Sequence, residues 1–309
     1  MDAPLLTVKE AVELSDGRRL SFSAIGPRDG IPILYLHGAI GSPPLRDTGL
    51  ERVIAGSRIR YLMVDRPGFG GSDPHPGRQV ADFARDIGEL ADALQLRRFS
   101  MLGVSAGAPY ALACGAEMPG RVAAIAAVSA IPTGFRPRRS NGTALPYRLS
   151  LMALLGRPRS MRRTIDAALA LALNRPRMLS RLFALGAAGG DRDILSDPRI
   201  REIAARRFLA AIEHGSAPMI DDYLVCCADW GFELGAVAPP VHLWHGVRDG
   251  VIPYRAAQRM GRRLPDCRPR FIKAGHFFLR SRIAEVIRPL AKAAATPSEY
   301  VGYTDRLAA

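Results

Sequence analysis

The stretch Gly103-Val104-Ser105-Ala106-Gly107 decides the fold. It follows a short apolar run, Phe99 to Leu102, and opens a run of small residues from Ala106 to Glu117. This order predicts a strand, a tight turn and a helix, with the serine hydroxyl at the apex pointing away from the sheet. The flanking glycines suit a strained turn that leaves no room for a Cβ atom. Because the Gly-x-Ser-x-Gly pattern is weak support by itself, its meaning depends on the residues before and after it.

Length and composition predict one large globular domain. The 309 residues, 48% of them hydrophobic and 23% charged, fit one α/β domain with an insertion. The cysteines, Cys114, Cys226, Cys227 and Cys267, lack metal-binding spacing and are interpreted as reduced core residues. The amino terminus does not resemble a secretory signal, and no apolar run reaches the roughly 18 residues that span a bilayer. We therefore expect a cytoplasmic protein.

The chain is strongly basic, with a formal net charge of +14 that comes almost entirely from arginine. Such a charge is compatible with attraction to an anionic membrane, nucleic acid or acidic substrate. The alternative explanation, which we favour, is a genome-level preference for arginine codons. Since the arginines are scattered and no nucleic-acid motif accompanies them, we expect no nucleic-acid partner.

Apolar runs alternate with helical patterns, which predicts a mostly parallel, twisted sheet of eight strands flanked by helices. The predicted strands are Leu5 to Leu14, Arg18 to Ile25, Ile31 to Leu36, Ile59 to Val64, Phe99 to Leu102, Val122 to Val128, Val241 to His245 and Arg270 to Ile272. Helices are expected over Phe83 to Leu94, with Asp82 as its cap, and over Ala106 to Glu117, Arg255 to Leu264 and Ile283 to Ala293. Ligands of such sheets bind at the carboxyl ends of the strands.

The alternation stops between residues 132 and 230, where the pattern is helical, basic and broken by prolines and glycines. We predict a helical cap there, a core formed by residues 1–131 and 231–295, and a tail over residues 296–309. Within the cap, Tyr147 to Leu155 combines leucines with neighbouring arginines. Such a helix can lie on an anionic membrane, although it more often packs its apolar face over the active site. An apolar cap favours a lipophilic small-molecule substrate.

Three residues suit nucleophilic catalysis on an acyl group. Ser105 is the candidate nucleophile, and His276, which follows the last predicted strand, is the candidate base. Asp249 follows the preceding strand and would orient the imidazole. The chain order Ser105, Asp249, His276 is that of the triad on an α/β sheet. His276 as a plain core residue and Asp249 as a turn residue remain the alternatives.

The same chemistry needs donors for the oxyanion, and we assign the backbone N–H groups of Ala39 and Ala106. Ala106 comes at a helix start, where N–H groups lack intrahelical partners. Ala39 lies in the loop after an early strand, where Gly38 lets the backbone approach the site. His37 is interpreted as a residue that braces this loop. No metal site is predicted, since His242 and His245 lie three residues apart on a strand and face opposite ways.

Together these motifs resemble the α/β-hydrolase fold superfamily, and specifically its cap-bearing serine hydrolases. The motifs are His37-Gly38, Asp65-Arg66-Pro67-Gly68-Phe69-Gly70-Gly71-Ser72, Gly103 to Gly107, Gly246-x-x-Asp249 and Gly275-His276, in the family's order. The resemblance implies a core with a helical cap inserted after the sixth strand and an enzyme that needs no cofactor. It also implies that the Asp65 to Ser72 loop is more often structural than catalytic.

We therefore expect a serine hydrolase that acts through an acyl-enzyme, and specifically a carboxylesterase. Ser105 in place of an aspartate disfavours dehalogenase and epoxide hydrolase chemistry, and the loop after His37 lacks the motif of proline iminopeptidases. The alternative is a non-hydrolytic protein on the same fold, namely a lyase, a perhydrolase or a ligand-binding receptor. The sequence indicates neither the substrate's identity nor the oligomeric state.

Overall fold

A computed structural model of the chain describes residues 8–39, 53–54, 57–136, 143–145, 148–149, 152, 160, 162–167, 190–211 and 215–295. Its strands are β1 Val8–Glu13, β2 Arg19–Ile25, β3 Ile31–Leu36, β4 Ile59–Val64, β5 Phe99–Val104, β6 Val122–Val128, β7 Val241–Gly246 and β8 Cys267–Ile272. Its helices are α1 Phe83–Ala93, α2 Gly107–Glu117, α3 Asp191–Ile194, α4 Pro198–Ala211, α5 Ala217–Cys227, α6 Tyr254–Gly261 and α7 Leu279–Ala294, with a short 3₁₀ turn at Leu234–Ala236.

The strands form one eight-stranded sheet in the order β1-β2-β4-β3-β5-β6-β7-β8. β1 and β2 form an antiparallel hairpin, and β2 is also antiparallel to β4. Every other pair is parallel. The predicted mostly parallel sheet is confirmed, and the crossover helices bring the carboxyl ends of β3, β5, β6 and β7 to one edge.

Both faces of the sheet are buried, which explains the unbroken apolar runs of the central strands. Every residue of β4 and β6 is buried. One face packs against α1, α2 and α6 in the larger hydrophobic cluster, and the other packs against α7 through Ile283, Val286, Ile287 and Leu290. The sequence prediction of helices on both faces is therefore correct.

The first helix begins differently from the prediction. Asp82 precedes α1 in a helical conformation, and its side chain makes no hydrogen bond to the N–H groups of the first turn. Its Oδ2 atom instead accepts the N–H of Gln79 at 2.7 Å. The predicted capping role of Asp82 is thus wrong, because the carboxylate turns back to the preceding loop.

The interruption of the strand–helix rhythm between β6 and β7 contains α3, α4 and α5. Of the predicted helix Tyr147 to Leu155, all but residues 148, 149 and 152 lie outside the described part of the chain. α5 packs into the main core, where Tyr223 and Cys226 join the larger hydrophobic cluster. The four cysteines are free. None of the described helices is long and apolar enough to cross a membrane.

Candidate active site

Ser105 occupies the sharp turn between β5 and α2, at the carboxyl edge of the sheet. Its φ angle is +52°, a left-handed conformation that costs a non-glycine residue on the order of 1–3 kcal/mol. The glycines on either side allow the close packing of this turn. A Cβ atom on Gly107 would lie 2.2 Å from the Leu36 carbonyl oxygen, and one on Gly103 would lie 2.6 Å from Ala108 Cα. The turn therefore holds the hydroxyl out from the sheet edge.

The structure brings Ser105, His276 and Asp249 together although they are far apart in the sequence. His276 Nε2 lies 3.1 Å from Ser105 Oγ. His276 Nδ1 lies 2.8 Å from Asp249 Oδ2. With Nδ1 protonated and donating to the carboxylate, Nε2 is free to accept the serine proton. This arrangement can activate a hydroxyl as a nucleophile.

The Asp249 carboxylate is buried and fully engaged. Its Oδ1 atom accepts the N–H groups of Val251 and Ile252, each at 2.8 Å. Burial alone would raise the pKa of Asp249, but the positive charge of His276 and the hydrogen bonds from His245 and His276 outweigh it and hold the pKa below its usual range. Asp249 is therefore ionised over the pH range in which His276 titrates.

Burial alone would lower the pKa of His276, but the Asp249 carboxylate outweighs it and raises the pKa above its usual value of about 6.5. The carboxylate of Asp191 adds to this rise. A raised pKa makes the neutral imidazole a stronger base, at the cost of protonation at mildly acidic pH. The backbone of His276 is also fixed, since the Ser129 hydroxyl donates to its carbonyl oxygen at 3.0 Å.

Sequence reasoning missed the part played by His245. This residue is fully buried, and its Nε2 atom lies 2.8 Å from the Ile252 carbonyl oxygen and 3.2 Å from Asp249 Oδ2. Because a carbonyl oxygen only accepts, Nε2 must be the protonated nitrogen, which lets it donate to both oxygens. The signal in the sequence was the spacing of four residues between His245, at the end of β7, and Asp249 in the following turn.

Asp191 was missed as well. It begins α3, within the segment between β6 and β7, and is completely buried beside the loop of His276. Its Oδ1 atom accepts the N–H of Phe277 at 2.9 Å, while its Oδ2 atom is buried without a hydrogen-bond partner. Burial raises the pKa of this carboxyl above its usual value. Nothing in the sequence distinguishes Asp191 from the acidic residues around it.

The residues assigned to the oxyanion hole lie in the two backbone segments next to Ser105. Ala106 directly precedes α2, and Ala39 follows β3 in the loop that passes the turn. A Cβ atom on Gly38 would lie 3.3 Å from Ser105 Cβ, so this loop touches the serine. His37 is buried and contacts the backbone of its own loop, with Nδ1 2.9 Å from the Gly38 carbonyl oxygen. Among the described residues, no group of three or more His, Cys, Asp or Glu side chains could hold a metal.

Comparison with known families agrees with the fold of the chain. The family model described as "alpha/beta hydrolase fold" matches residues 31–280. A non-heme chloroperoxidase from Streptomyces lividans is 34% identical over 137 residues, which cover 44% of this chain and 49% of that protein. A 2-hydroxymuconate semialdehyde hydrolase from Pseudomonas putida is 26% identical over 261 residues, which cover 81% of this chain and 82% of that protein. The chain thus spans about half the length of the first of these relatives.

Solved structures show the same architecture. A thermophilic esterase from Thermogutta terrifontis superposes with a TM-score of 0.67 at 20% identity, over 94% of this chain and all of that chain (100%). At this level of identity the likeness shows the fold alone.

Proposed function

This chain belongs to the α/β hydrolase fold family, and we propose that it is a serine hydrolase that cleaves carboxylic esters of a lipophilic small molecule. The observation that carries the proposal is the hydrogen-bonded series Ser105 Oγ, His276 Nε2, His276 Nδ1 and Asp249 Oδ2, with separations of 3.1 and 2.8 Å. It stands at the carboxyl edge of a parallel sheet, where ligands of such folds bind.

The proposed reaction has two halves. Ser105 Oγ attacks the ester carbonyl carbon while its proton passes to His276 Nε2, and the carbonyl oxygen takes up the negative charge. The N–H groups of Ala39 and Ala106 stabilise that charge. When the carbon–oxygen bond breaks, the imidazolium gives its proton to the leaving alcohol. Water then attacks the acyl-enzyme with His276 as base, which releases the acid and restores the serine.

The surroundings of the histidine support this mechanism. Asp249 is held ionised by two backbone N–H groups and by the two histidines, so that it stabilises the imidazolium formed in each half-reaction. The raised pKa of His276 favours proton transfer from serine at neutral pH.

Hydrolysis of a hydroxymuconic semialdehyde is the second candidate, because one relative, aligned over 81% of this chain, is a 2-hydroxymuconate semialdehyde hydrolase. The same nucleophile, base and oxyanion donors serve both reactions. The two reactions differ in the bond that breaks and in the leaving group, which is an alcohol only in ester hydrolysis. Activity measurements on both substrate classes therefore separate the two candidates.

A fluorophosphonate probe tests the proposal without knowledge of the natural substrate. The probe phosphonylates an activated serine and displaces fluoride. We expect one label per chain on the peptide that contains Ser105, and loss of labelling in Ser105→Ala. An unreactive Ser105 in the folded protein would favour a ligand-binding role instead.

Steady-state assays then assign the substrate class. p-Nitrophenyl esters of increasing chain length, lactones, thioesters and a hydroxymuconic semialdehyde form the panel. Higher kcat/KM for the longer esters supports the lipophilic ester, whereas turnover of the semialdehyde alone supports the second candidate.

A further inference from the structure

The loop after β4 contains a completely buried arginine, Arg66, in the motif to which the sequence analysis assigned a structural role. Its guanidinium contacts both sides of the proposed oxyanion hole. Nη2 donates to the carbonyl oxygen of Gly38 at 3.2 Å, and Nη1 donates to the carbonyl oxygen of Ala106 at 3.0 Å. One rigid, planar group therefore bridges the two backbone segments that flank Ser105.

The contact with Gly38 bears directly on an oxyanion donor. The carbonyl of Gly38 and the N–H of Ala39 belong to the same planar peptide unit, so a group that fixes the carbonyl also fixes the direction of the N–H. A cation at the oxygen end also aligns with the dipole of this peptide, which places more positive charge on the N–H hydrogen.

His37 holds the same carbonyl from a second direction. The backbone N–H of Arg66 donates to His37 Nε2 at 3.3 Å, so Nδ1 is the protonated nitrogen and donates to the Gly38 carbonyl oxygen at 2.9 Å. Burial and the charge of Arg66 lower the pKa of His37 well below its usual value, which keeps the ring neutral. The Gly38–Ala39 peptide is thus fixed by two side-chain donors.

The positive charge behind this peptide is only partly compensated. Arg66 Nη1 lies 2.8 Å from Asp222 Oδ2, and Arg78 Nη2 lies 3.0 Å from Asp222 Oδ1, so two guanidinium groups share one carboxylate. The Tyr110 hydroxyl donates to the same Oδ1 atom at 2.8 Å. The Arg66 guanidinium also lies over the rings of Phe69 and Tyr110, at 5.3 and 5.2 Å from their centres, which fixes its plane.

We propose that Arg66 is the positioning residue of the oxyanion hole: it aims and polarises the peptide that presents the Ala39 N–H. This inference rests on the proposed function, since it concerns the charge that develops when Ser105 attacks a carbonyl. The polarised peptide interacts more strongly with the oxyanion than with the neutral carbonyl of the bound ester. Loss of Arg66 should therefore lower kcat and leave KM nearly unchanged.

The test compares Arg66→Met with Arg78→Met. Arg78 shares the Asp222 carboxylate and is also buried, but its other hydrogen bond goes to the His75 carbonyl oxygen, away from Gly38 and Ala106. Two rates are measured on variants whose melting curves show that they are folded: kcat on a p-nitrophenyl ester and the second-order rate constant of fluorophosphonate labelling. The labelling reaction also places negative charge on an oxygen in the oxyanion hole. We expect both rates to fall by about 10- to 100-fold in Arg66→Met, and by no more than about threefold in Arg78→Met. Equal losses in the two variants would overturn the proposal.

Arg66→Lys keeps a positive charge beside Asp222 and serves if Arg66→Met does not fold. A single ammonium group cannot bridge both carbonyls as the guanidinium does, so kcat should fall by about threefold or more with KM retained. A wild-type kcat in Arg66→Lys would overturn the positioning role. Failure of the proposed function is recognised separately: wild-type protein would then not be labelled at Ser105. Labelled wild type together with fully active Arg66 variants would remove this inference alone.

Discussion

The two sides of Ser105 are built by different means. On the proposed acid side, the working groups are side chains, His276 and Asp249, and each is held by further donors or acceptors. On the proposed oxyanion side, the working groups are backbone N–H groups, and the side chains of His37 and Arg66 act only through backbone carbonyl oxygens, those of Gly38 and Ala106. Chemistry on the first side depends on residue identity, whereas on the second side it depends on where the backbone lies.

This difference predicts how each side responds to mutation. Loss of an acid-side group removes a proton carrier or its orienting charge. Loss of a side chain that holds the oxyanion-side backbone moves a donor by a fraction of an ångström but does not remove it. Substitution of the working groups on the acid side, His276 and Asp249, should therefore have larger effects on kcat than substitution of the residues that hold the oxyanion-side backbone.

Ser105→Ala gives the largest expected effect, because it removes the proposed nucleophile, which both sides serve. We expect kcat on a p-nitrophenyl ester to fall on the order of 10⁶-fold. Residual turnover would come from the oxyanion donors and binding alone. Near-native activity in this variant would show that the reacting group lies elsewhere.

Asp249→Asn tests the acid side with little change in shape. The amide can no longer stabilise the imidazolium and favours the wrong tautomer of His276, so kcat should fall by about 10⁴-fold. The measurement is steady-state ester hydrolysis, with circular dichroism to show that the fold is retained. A loss of tenfold or less would mean that another group orients the histidine.

Gly38→Ala tests the oxyanion side. The added Cβ atom would lie 3.3 Å from Ser105 Cβ, close enough to displace the loop by a few tenths of an ångström. We expect kcat to fall by about tenfold with the melting temperature nearly unchanged. The control is Gly120→Ala, where an added Cβ atom meets nothing within 4 Å. If both variants hydrolyse esters at the wild-type rate, the assignment of this loop is wrong.

His245→Phe tests the support behind the acid. It removes the N–H that donates to Asp249 and to the Ile252 carbonyl oxygen, and we expect a loss of about 1.5–3 kcal/mol in the free energy of unfolding together with a severalfold lower kcat. Urea denaturation and ester hydrolysis measure the two effects. His242→Phe, on the same strand, is the matched control. Equal effects in both variants would contradict a specific role for His245.

Asp191→Asn gives the smallest expected effect, a shift along the pH axis. His276 must be neutral to act as base, so kcat/KM should rise with pH through a pKa above the usual value for histidine. Because the negative charge of Asp191 stabilises the imidazolium, its removal should move this midpoint to lower pH. The Asn keeps an acceptor for the Phe277 N–H. The exposed Asp193 supplies the control Asp193→Asn, and an unshifted midpoint in Asp191→Asn would contradict the effect of this charge.

The sheet could be predicted from the sequence because its buried strands are continuous apolar runs with clear ends. β3, β4 and β6 have the predicted bounds. β8 begins three residues before the prediction, since its first residues include exposed arginines and a proline that do not resemble a strand. The Asp82 cap failed because several local hydrogen bonds compete for one carboxylate, and sequence spacing does not decide between them.

The part of the candidate site that could be predicted consists of side chains whose order along the chain is fixed. Ser105, Asp249 and His276 each follow a strand of the parallel sheet, and topology brings such positions to one edge. His245 was considered only as a possible metal ligand, although its spacing to Asp249 was visible. Asp191 and the bridging role of Arg66 depend on contacts between distant segments, which no local pattern encodes.

The central claim is that Ser105 becomes acylated. The direct measurement is mass spectrometry of protein that is mixed with p-nitrophenyl acetate and quenched in acid within the first turnover. The account predicts one added acetyl group per chain, located on the peptide that contains Ser105, at the rate of the p-nitrophenol burst. Ester turnover without an adduct on that peptide, or with the adduct on another residue, would contradict it.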